Sequence, residues 1–314
     1  MIPYEWLERA QARISTFIQP TPLTYDEERN IYIKWENRQV TGSFKARGAF
    51  NKVLILEDWE REAGIVAASA GNHGLGVALA GERLGAAVEV FVSEHAVPAK
   101  VAAMRALGAS IHAVPGGYPQ AEAAGKSYAE NQHKTWISPY NDGQVIAGQG
   151  TLGVELLREL PEGPATWLVP VSGGGLLAGI GAAISVVQPV RPRLVGVQAE
   201  TAPFMHGLFY HGSQDGIPDL PSLADGLTGA VESDSVTIPL IRQCVDEIVL
   251  VSEEEIARGI AFAWKAYGET VEGAGAVGLA AVLSGKVTAR PCVVVVSGGN
   301  VQPEEHARII SHDG

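Results

Sequence analysis

The stretch GIVAASAGNHGLG, residues 64 to 76, contains the pattern that decides the fold. Its first six residues, GIVAAS, form a short apolar run that predicts a buried strand, and a helical pattern follows through Leu84. Glycines lie at the junction between the two patterns, where a tight turn needs conformational freedom. We therefore predict a strand, a loop and a helix in this order, which is the repeating unit of a parallel sheet.

The same alternation continues along the chain. Downstream, AVEVFVS, SIHAV and TWIS predict strands, and they alternate with the helical patterns VPAKVAAMRALG and PQAEAAGKSYAEN. In the C-terminal half, the apolar runs TWLVPV, RLVGVQA, EIVLVS and CVVVVS are typical of parallel strands covered on both faces. We predict an α/β protein of two doubly wound lobes with mainly parallel sheets: a small substrate-binding lobe, residues 62–142, and a discontinuous large cofactor-binding lobe, residues 1–61 and 143–314.

Two local signals add detail to this prediction. Ser252 followed by Glu255 predicts a capping box at the start of a helix that Gly268 ends. The stretch from Thr201 to Ala224, rich in Pro, Gly and His, predicts a surface loop near the active cleft.

Composition excludes several classes of protein. The chain of 314 residues has 35 acidic and 23 basic side chains, a net charge of −12 and no basic stripe, which argues against a nucleic-acid partner. Residues 163–190 carry no charge, but prolines and three consecutive glycines interrupt them, so we predict a strand, a loop and a buried helix rather than a membrane span. The two cysteines and the absence of a signal-peptide pattern at the N-terminus predict a cytoplasmic protein without disulfides.

Three glycine-containing loops follow predicted strands. In VSGGGLLAG (171–179), consecutive backbone N–H groups at a helix N-terminus are typical of a phosphate site. The same loop also fits a dinucleotide fingerprint through Gly173, Gly175 and Ala178, with Glu200 near the spacing of a ribose-binding acid. An NAD-linked oxidoreductase is therefore an alternative.

The other two loops point to the same edge of the molecule. SAGNHGLG (69–76) could bind a carboxylate through its backbone, or could be a tight turn with a capping Asn72 and a solvent-facing His73. In VSGGNV (296–301), Ser297 would project from the carboxyl edge of the sheet, where ligands of parallel α/β folds bind.

A lysine completes the set. Lys45, in TGSFKARGAF (41–50), could be a phosphate clamp, a surface charge or a nucleophile. A reactive lysine together with a phosphate loop indicates pyridoxal phosphate, which bonds to a lysine amine and withdraws electrons from the α-carbon of an amino acid. A nicotinamide site would explain only the glycine loop.

Six motifs occur along nearly the whole chain in the order TGSFKARGAF, SAGNHG, VIAGQGT, SGGGLLAG, ADG and SGGN. In this order they resemble the serine/threonine dehydratase and serine racemase family, which uses pyridoxal 5'-phosphate and has the fold of the tryptophan synthase β-subunit, fold type II. The resemblance implies that Lys45 binds the cofactor covalently, that Phe44 lies beside its ring and that Asn72 bonds its 3′-oxygen. Ser297 would meet the pyridine nitrogen.

The resemblance also implies two binding loops. The cofactor phosphate would be held by Ser172, Gly173, Gly174, Gly175 and Leu176, with Ser172 in place of a more usual glycine. The substrate carboxylate would be held by Ser69, Ala70, Gly71, Asn72 and His73.

The implied reaction is β-elimination from a 3-hydroxy amino acid, L-threonine or L-serine, to a 2-oxo acid and ammonia. A serine hydroxyl cannot keep the pyridine nitrogen protonated, so prompt loss of a leaving group is favoured over a long-lived carbanion. Lys45, once displaced by the substrate amine, would be the base that removes the α-proton. The family suggests a homodimer with a small-molecule substrate.

Departures from the family pattern keep alternatives open. Racemases of the family carry a second serine where this chain has Ala70, and a methyl group cannot return a proton, which favours a dehydratase over a serine racemase. Tyr140 replaces a common Phe and could make the pocket more polar, so a hydroxyaspartate dehydratase is a further alternative. Glu272 either lies near the cofactor or leaving group or caps the next helix.

The remaining alternatives concern a metal and other activities. Glu200 fits a cation site of the family, but His206 replaces its Asp, so we predict no metal site. A β-replacement enzyme of the cysteine synthase type is disfavoured because His73 departs from the motif of that group. A non-catalytic sensor is disfavoured because it would leave Lys45 without a role.

Overall fold

The computed structural model describes residues 1–160, 163 and 166–312. Their strands are β1 (Leu23–Asp26), β2 (Ile31–Trp35), β3 (Ile65–Ala68), β4 (Val88–Ser93), β5 (Ser110–Val114), β6 (Thr135–Trp136), β7 (Thr166–Pro170), β8 (Arg193–Ala199), β9 (Glu247–Val251) and β10 (Cys292–Val296). Their α-helices are α1 (Tyr4–Ile14), α2 (Lys45–Leu54), α3 (Asp58–Ala63), α4 (Asn72–Leu84), α5 (Pro98–Ala106), α6 (Tyr118–Asn131), α7 (Gly143–Glu159), α8 (Gly175–Ile184), α9 (Phe204–His211), α10 (Thr237–Cys244), α11 (Glu253–Tyr267), α12 (Gly273–Leu283) and α13 (Pro303–His312).

The strands of the described residues form two sheets. A six-stranded sheet has the order β1-β2-β10-β7-β8-β9, and a four-stranded sheet has the order β5-β4-β3-β6. Only the edge pair β1–β2 is antiparallel among the strand pairs of these ranges. This confirms the prediction of an α/β fold with mainly parallel sheets. We call the part around the four-stranded sheet the small lobe and the part around the six-stranded sheet the large lobe.

The strand sequences explain their positions. Every residue of β7 and β10 is buried, because helices cover both faces of the large sheet and the strands carry almost only apolar side chains. The four strands predicted for the small lobe pair in parallel between residues 65 and 136. The lobe boundaries at residues 61/62 and 142/143 stay a prediction.

Two local predictions have different outcomes. The capping box is present, since the Ser252 hydroxyl accepts from the Glu255 N–H, and Gly268 ends α11 with a φ of 68°. The prediction of a loop for residues 201–224 is wrong in part, because they contain α9. Its apolar residues Phe204, Met205 and Leu208 pack into the large-lobe core, and this burial stabilises a helix in spite of the surrounding Pro and Gly residues.

The uncharged segment, residues 163–190, contains the strand, loop and helix that its prolines and glycines predict. Within its described part, β7 is followed by the glycine loop and by the fully buried α8. No helix in the described part of the chain is long and apolar enough to cross a membrane.

The topology brings the motif loops to the carboxyl ends of the parallel strands. The substrate loop follows β3, the glycine loop follows β7 and Ser297 follows β10. The segment before α2 is attached to the end of β10, since Ser43 bridges Gly298 and the Phe44 N–H donates to the Ser297 carbonyl oxygen at 3.1 Å. Lys45 therefore begins its helix beside Ser297.

Candidate active site

Lys45 is the first residue of α2, and its side chain is directed into the molecule. Its Nζ donates to the backbone carbonyl oxygen of Pro139 at 3.0 Å and lies 5.1 Å from the centre of the Phe44 ring. Burial lowers the pKa of Lys45 to about 8, although the nearby Glu272 carboxylate acts in the opposite direction. About a tenth of the amine is thus neutral at pH 7, far more than for a lysine in solution, and a general base needs this form.

The substrate loop, residues 69–73, lies between β3 and α4 and approaches Lys45. A Cβ atom on Gly76 would lie 3.3 Å from the backbone of Lys45 and Ala46, which shows how closely the start of α4 packs against α2. The Ser69 hydroxyl accepts from the Gly71 N–H at 3.1 Å. The hydroxyl of Ser69 is therefore engaged by the loop itself.

His73 is buried rather than solvent-facing. Its Nε2 lies 2.8 Å from the carbonyl oxygen of Ile137, so this nitrogen must carry a hydrogen and donate it. Burial lowers the pKa of His73 to about 3, and the positive charge of Lys45 adds to the effect. The imidazole is therefore neutral, and its Nε2 is occupied by the Ile137 carbonyl oxygen.

In the glycine loop, residues 172–175, the three glycines leave no room for a Cβ atom. A Cβ atom on Gly173 would collide with the Tyr140 ring, and one on Gly175 would collide with Gln149 Oε1. Gly174 has a φ of 88°, a conformation that residues with a side chain rarely adopt. Gly173 and Gly174 precede α8, Gly175 begins it and Leu176 lies buried in its first turn, so backbone N–H groups at a helix N-terminus are available for an anion.

Asn72 and Glu272 meet across the two lobes. Asn72 Nδ2 donates to Glu272 Oε1 at 2.6 Å, and Asn72 Oδ1 accepts from Asn300 Nδ2 at 2.7 Å. Glu272 precedes α12, but its side chain makes no capping hydrogen bond. No hydrogen bond therefore supports the capping role considered for Glu272, and its place near the cofactor or leaving group stays a prediction.

The Glu272 carboxyl group has an unusual environment. Burial raises its pKa to about 7, and the Asp225 carboxylate adds to the effect, whereas the hydrogen bond from Asn72 opposes it. Ser297 lies close by and is buried; its hydroxyl donates to the Ala274 carbonyl oxygen at 3.4 Å, a long and weak bond. That hydroxyl can exchange this partner for a ligand at little cost.

Two contributing residues were not identified by sequence reasoning. Gln149, inside the motif VIAGQGT, donates to the same Pro139 carbonyl oxygen as Lys45, at 3.1 Å. Thr237 Oγ1 donates to the Gly173 carbonyl oxygen at 2.7 Å. The sequence signal for Gln149 is a polar side chain among small and apolar residues of a buried helix. Thr237 carries no such local signal.

The positions considered for a cation do not come together. Glu200 is exposed, and His206 lies in α9 with its ring 4.7 Å from the Tyr210 ring. Over residues 1–160, 163 and 166–312, no group of three His, Cys, Asp or Glu side chains is placed to hold a metal ion.

Comparisons with known proteins identify the family. A family model described as pyridoxal-phosphate dependent enzyme matches residues 14–298. An L-threonine ammonia-lyase of Thermotoga maritima is 39% identical over 99% of this chain and 79% of that protein, and one of Geobacter sulfurreducens is 41% identical over 96% and 76%. The solved structure of maize serine racemase has a TM-score of 0.91 at 29% identity, covering 99% of this chain and 97% of the racemase.

Proposed function

Because the chain belongs to the family of pyridoxal-phosphate dependent enzymes, we propose that it is an ammonia-lyase acting on a 3-hydroxy amino acid, foremost L-threonine. Water leaves in the β-elimination and is taken up again when the resulting imine hydrolyses, so the net products are a 2-oxo acid and ammonia. The observation that carries the proposal is the similarity to two L-threonine ammonia-lyases at 39% and 41% identity over nearly the whole chain. The family assignment favours this cofactor over the NAD-linked alternative.

The residues present fit the cofactor. The three consecutive glycines at a helix N-terminus suit a phosphate group, because a Cβ atom at any of them would collide with a neighbour. A desolvated lysine beside it suits a Schiff base, and the weakly bonded Ser297 hydroxyl suits a neutral pyridine nitrogen. We propose that Lys45 and residues 172–176 hold the cofactor, with Phe44, Asn72 and Ser297 around its ring.

The protein side of the mechanism follows from these positions. When bound, pyridoxal phosphate supplies an electron sink for the bond broken at the α-carbon. The N–H groups of the substrate loop bind the substrate carboxylate, and this places the α-hydrogen near Lys45. The Lys45 amine takes the proton in its neutral form, while its bond to the Pro139 carbonyl oxygen orients it. Glu272, with a pKa near 7, is placed to share a proton with the departing group.

Serine racemisation is the second candidate, and the similarity to maize serine racemase favours considering it. Racemisation needs an acid on the face of the α-carbon opposite Lys45. Ala70 stands where racemases of the family carry a serine, and its methyl group has no proton to give. We therefore propose dehydration as the main reaction.

The polarity of the pocket bears on the choice of substrate. The Tyr140 hydroxyl accepts from the Glu232 N–H at 3.1 Å, and burial raises its pKa, with the charges of Glu232 and Glu122 adding to the effect. Tyr140 therefore stays neutral, and carboxylates lie near it, which disfavours an acidic substrate such as hydroxyaspartate. L-Serine is the second substrate that we propose.

An absorption spectrum and a product assay test the proposal together. Purified protein reconstituted with pyridoxal phosphate should show a blue-violet absorption band that borohydride removes, and should form 2-oxobutyrate and ammonia from L-threonine. A band without 2-oxo acid from L-threonine, L-serine or hydroxyaspartate would reject the activity but keep the cofactor. No band at all would reject both.

Two further proposals follow from the family. We propose that the chain forms a homodimer, which light scattering coupled to gel filtration would test by the molar mass. We also propose a cytoplasmic location, which fractionation of the native host would test.

A further inference from the structure

A polar cluster joins the small lobe to the large lobe beside Tyr140. Lys126 of α6 places its Nζ 2.8 Å from Glu232 Oε2, and Asn141 Nδ2 donates to the same oxygen at 3.2 Å. The backbone N–H of Glu232 donates to the Tyr140 hydroxyl. Glu232, in the segment before α10, thus contacts both the small-lobe helix α6 and Tyr140, which packs on the glycine loop.

The residues next to Glu232 hold the glycine loop and its neighbours. Thr237 Oγ1 donates to the Gly173 carbonyl oxygen at 2.7 Å, and the Val236 N–H donates to Asn141 Oδ1 at 3.0 Å. The Tyr140 ring lies against Gly173 on the position that a Cβ atom would need. The segment 232–237 therefore connects the phosphate cradle with the small lobe through several short bonds.

The ion pair in this cluster differs from an isolated surface pair. Lys126 also faces Glu122, at 3.2 Å, and the Glu232 side chain is only 18% exposed. Glu232 Oε1 is buried and has no hydrogen-bond partner among the described residues. A carboxylate in this position is stable only while Lys126 and Asn141 stay in place, since an unpaired buried charge is costly.

We propose that Glu232 is a positioning residue that holds the small lobe against the glycine loop and so sets the distance between the substrate loop and Lys45. The substrate loop belongs to the small lobe, and the glycine loop belongs to the large lobe. Substrate binds well only when both loops are at the right separation, and we call this arrangement closed. The KM rises in inverse proportion to the fraction of protein that is closed. The kinetic part of this proposal rests on the proposed function.

Charge substitutions in the holoenzyme test the role. K126M and E232Q each remove the ion pair and keep the backbone bond to Tyr140. Loss of a partly buried pair of about 1 kcal/mol corresponds to a rise of roughly fivefold in the KM for L-threonine, with kcat changed by less than about twofold. The double variant K126M/E232Q should raise KM no more than the single variants do, because each of them already removes the same pair.

K286M is the matched control. Lys286 pairs with Glu255 at 2.6 Å within the large lobe, with side-chain exposures of 34% and 13% that resemble those of Lys126 and Glu232 at 39% and 18%. This variant removes a comparable pair that does not join the lobes. Its KM should stay at the wild-type value.

Hydrogen exchange provides a readout that does not depend on catalysis. Amide groups of residues 69–73 and of α6 should exchange faster in K126M and E232Q, and at wild-type rates in K286M. Unchanged exchange and unchanged KM in K126M and E232Q, or a K126M/E232Q variant whose effect is the sum of the two single ones, would overturn the proposal. A wild type inactive on every 3-hydroxy amino acid would instead reject the proposed function, and the exchange data would still decide the role of Glu232.

Discussion

Asn72 and Glu272 are 200 residues apart in the chain, and the amide of the first donates to the carboxylate of the second at 2.6 Å. This bond joins the substrate loop of the small lobe to the start of α12 in the large lobe. It also places a carboxyl group with a pKa near 7 close to the Lys45 amine, whose own pKa lies near 8. The two titrating groups of the site are therefore electrostatically linked.

The first prediction concerns Lys45 itself. K45A should lower kcat for L-threonine by about a thousandfold or more, because it removes both the base and the covalent attachment of the cofactor. The borohydride-sensitive absorption band should be lost as well. K52A is the control: Lys52 lies on the same helix and pairs with Asp142 at 2.7 Å, and its variant should keep the band and most of the activity.

The second prediction concerns the pH profile. In the wild type, kcat should rise as the pH rises through about 8, because Lys45 must lose its proton to act as the base. E272Q removes a negative charge that raises the pKa of Lys45, so its midpoint should move to lower pH. E269Q, whose carboxylate contacts Asn37 and Arg38, should leave the midpoint unchanged. A midpoint in E272Q equal to or above that of the wild type would contradict the electrostatic link.

The third prediction separates backbone strain from cofactor binding. G174A and G85A both force alanine into a positive φ, 88° and 72°, and each should lose about 1 kcal/mol or more of unfolding free energy in urea. Only G174A should also bind pyridoxal phosphate more weakly in a fluorescence titration, because its Cβ atom displaces Ile241 behind the glycine loop. Equal cofactor affinities of the two variants would argue against a phosphate in this loop.

The fourth prediction concerns Ala70. A70S introduces a hydroxyl group that can return a proton to the face opposite Lys45, so it should convert L-serine into D-serine faster than the wild type. Chiral chromatography measures the product, and A70V is the control, since it also enlarges the side chain but adds no proton that can be returned. A wild type that already forms more D-serine than 2-oxo acid would show that Ala70 does not prevent racemisation.

The fifth prediction concerns stability around α2. Arg47, two residues after Lys45, is buried and binds the carboxylates of Glu36 at 2.7 Å and Glu155 at 2.8 Å. R47M leaves both carboxylates without this partner and should cost about 3–5 kcal/mol of unfolding free energy in urea. R193M breaks an exposed pair with Glu247 and should cost at most about 1 kcal/mol. Similar losses in the two variants would contradict the role of burial.

Several features of the site could be predicted from local sequence. The apolar run of β3, the glycines after it and the helical pattern of α4 are within reach of one another in the chain, so their order predicts a strand, a loop and a helix. The same holds for β7 with its glycine loop and for β10 with Ser297. Parallel strands then require all three loops to lie at one edge of their sheets.

Other features could not be predicted in this way. His73 follows a loop and could face solvent or the core, and only the packing of α4 against the small sheet buries it. α9 was missed because its stability comes from burial against the large-lobe core rather than from a clear helical signal. The role of Glu232 depends on Lys126, which lies 106 residues earlier.

The sequence by itself determined the class of fold, the order of the loops and the lysine that the family resemblance implies as the reactive one. Periodicity, glycine positions and motif order are properties of neighbouring residues, and these suffice for such conclusions. Only the tertiary structure decided that the Lys45 amine is desolvated, that Glu272 bonds Asn72 rather than capping its own helix, and that Glu232 joins the lobes. Desolvation and electrostatic coupling depend on distances between groups that are remote in the chain, and folding alone sets those distances.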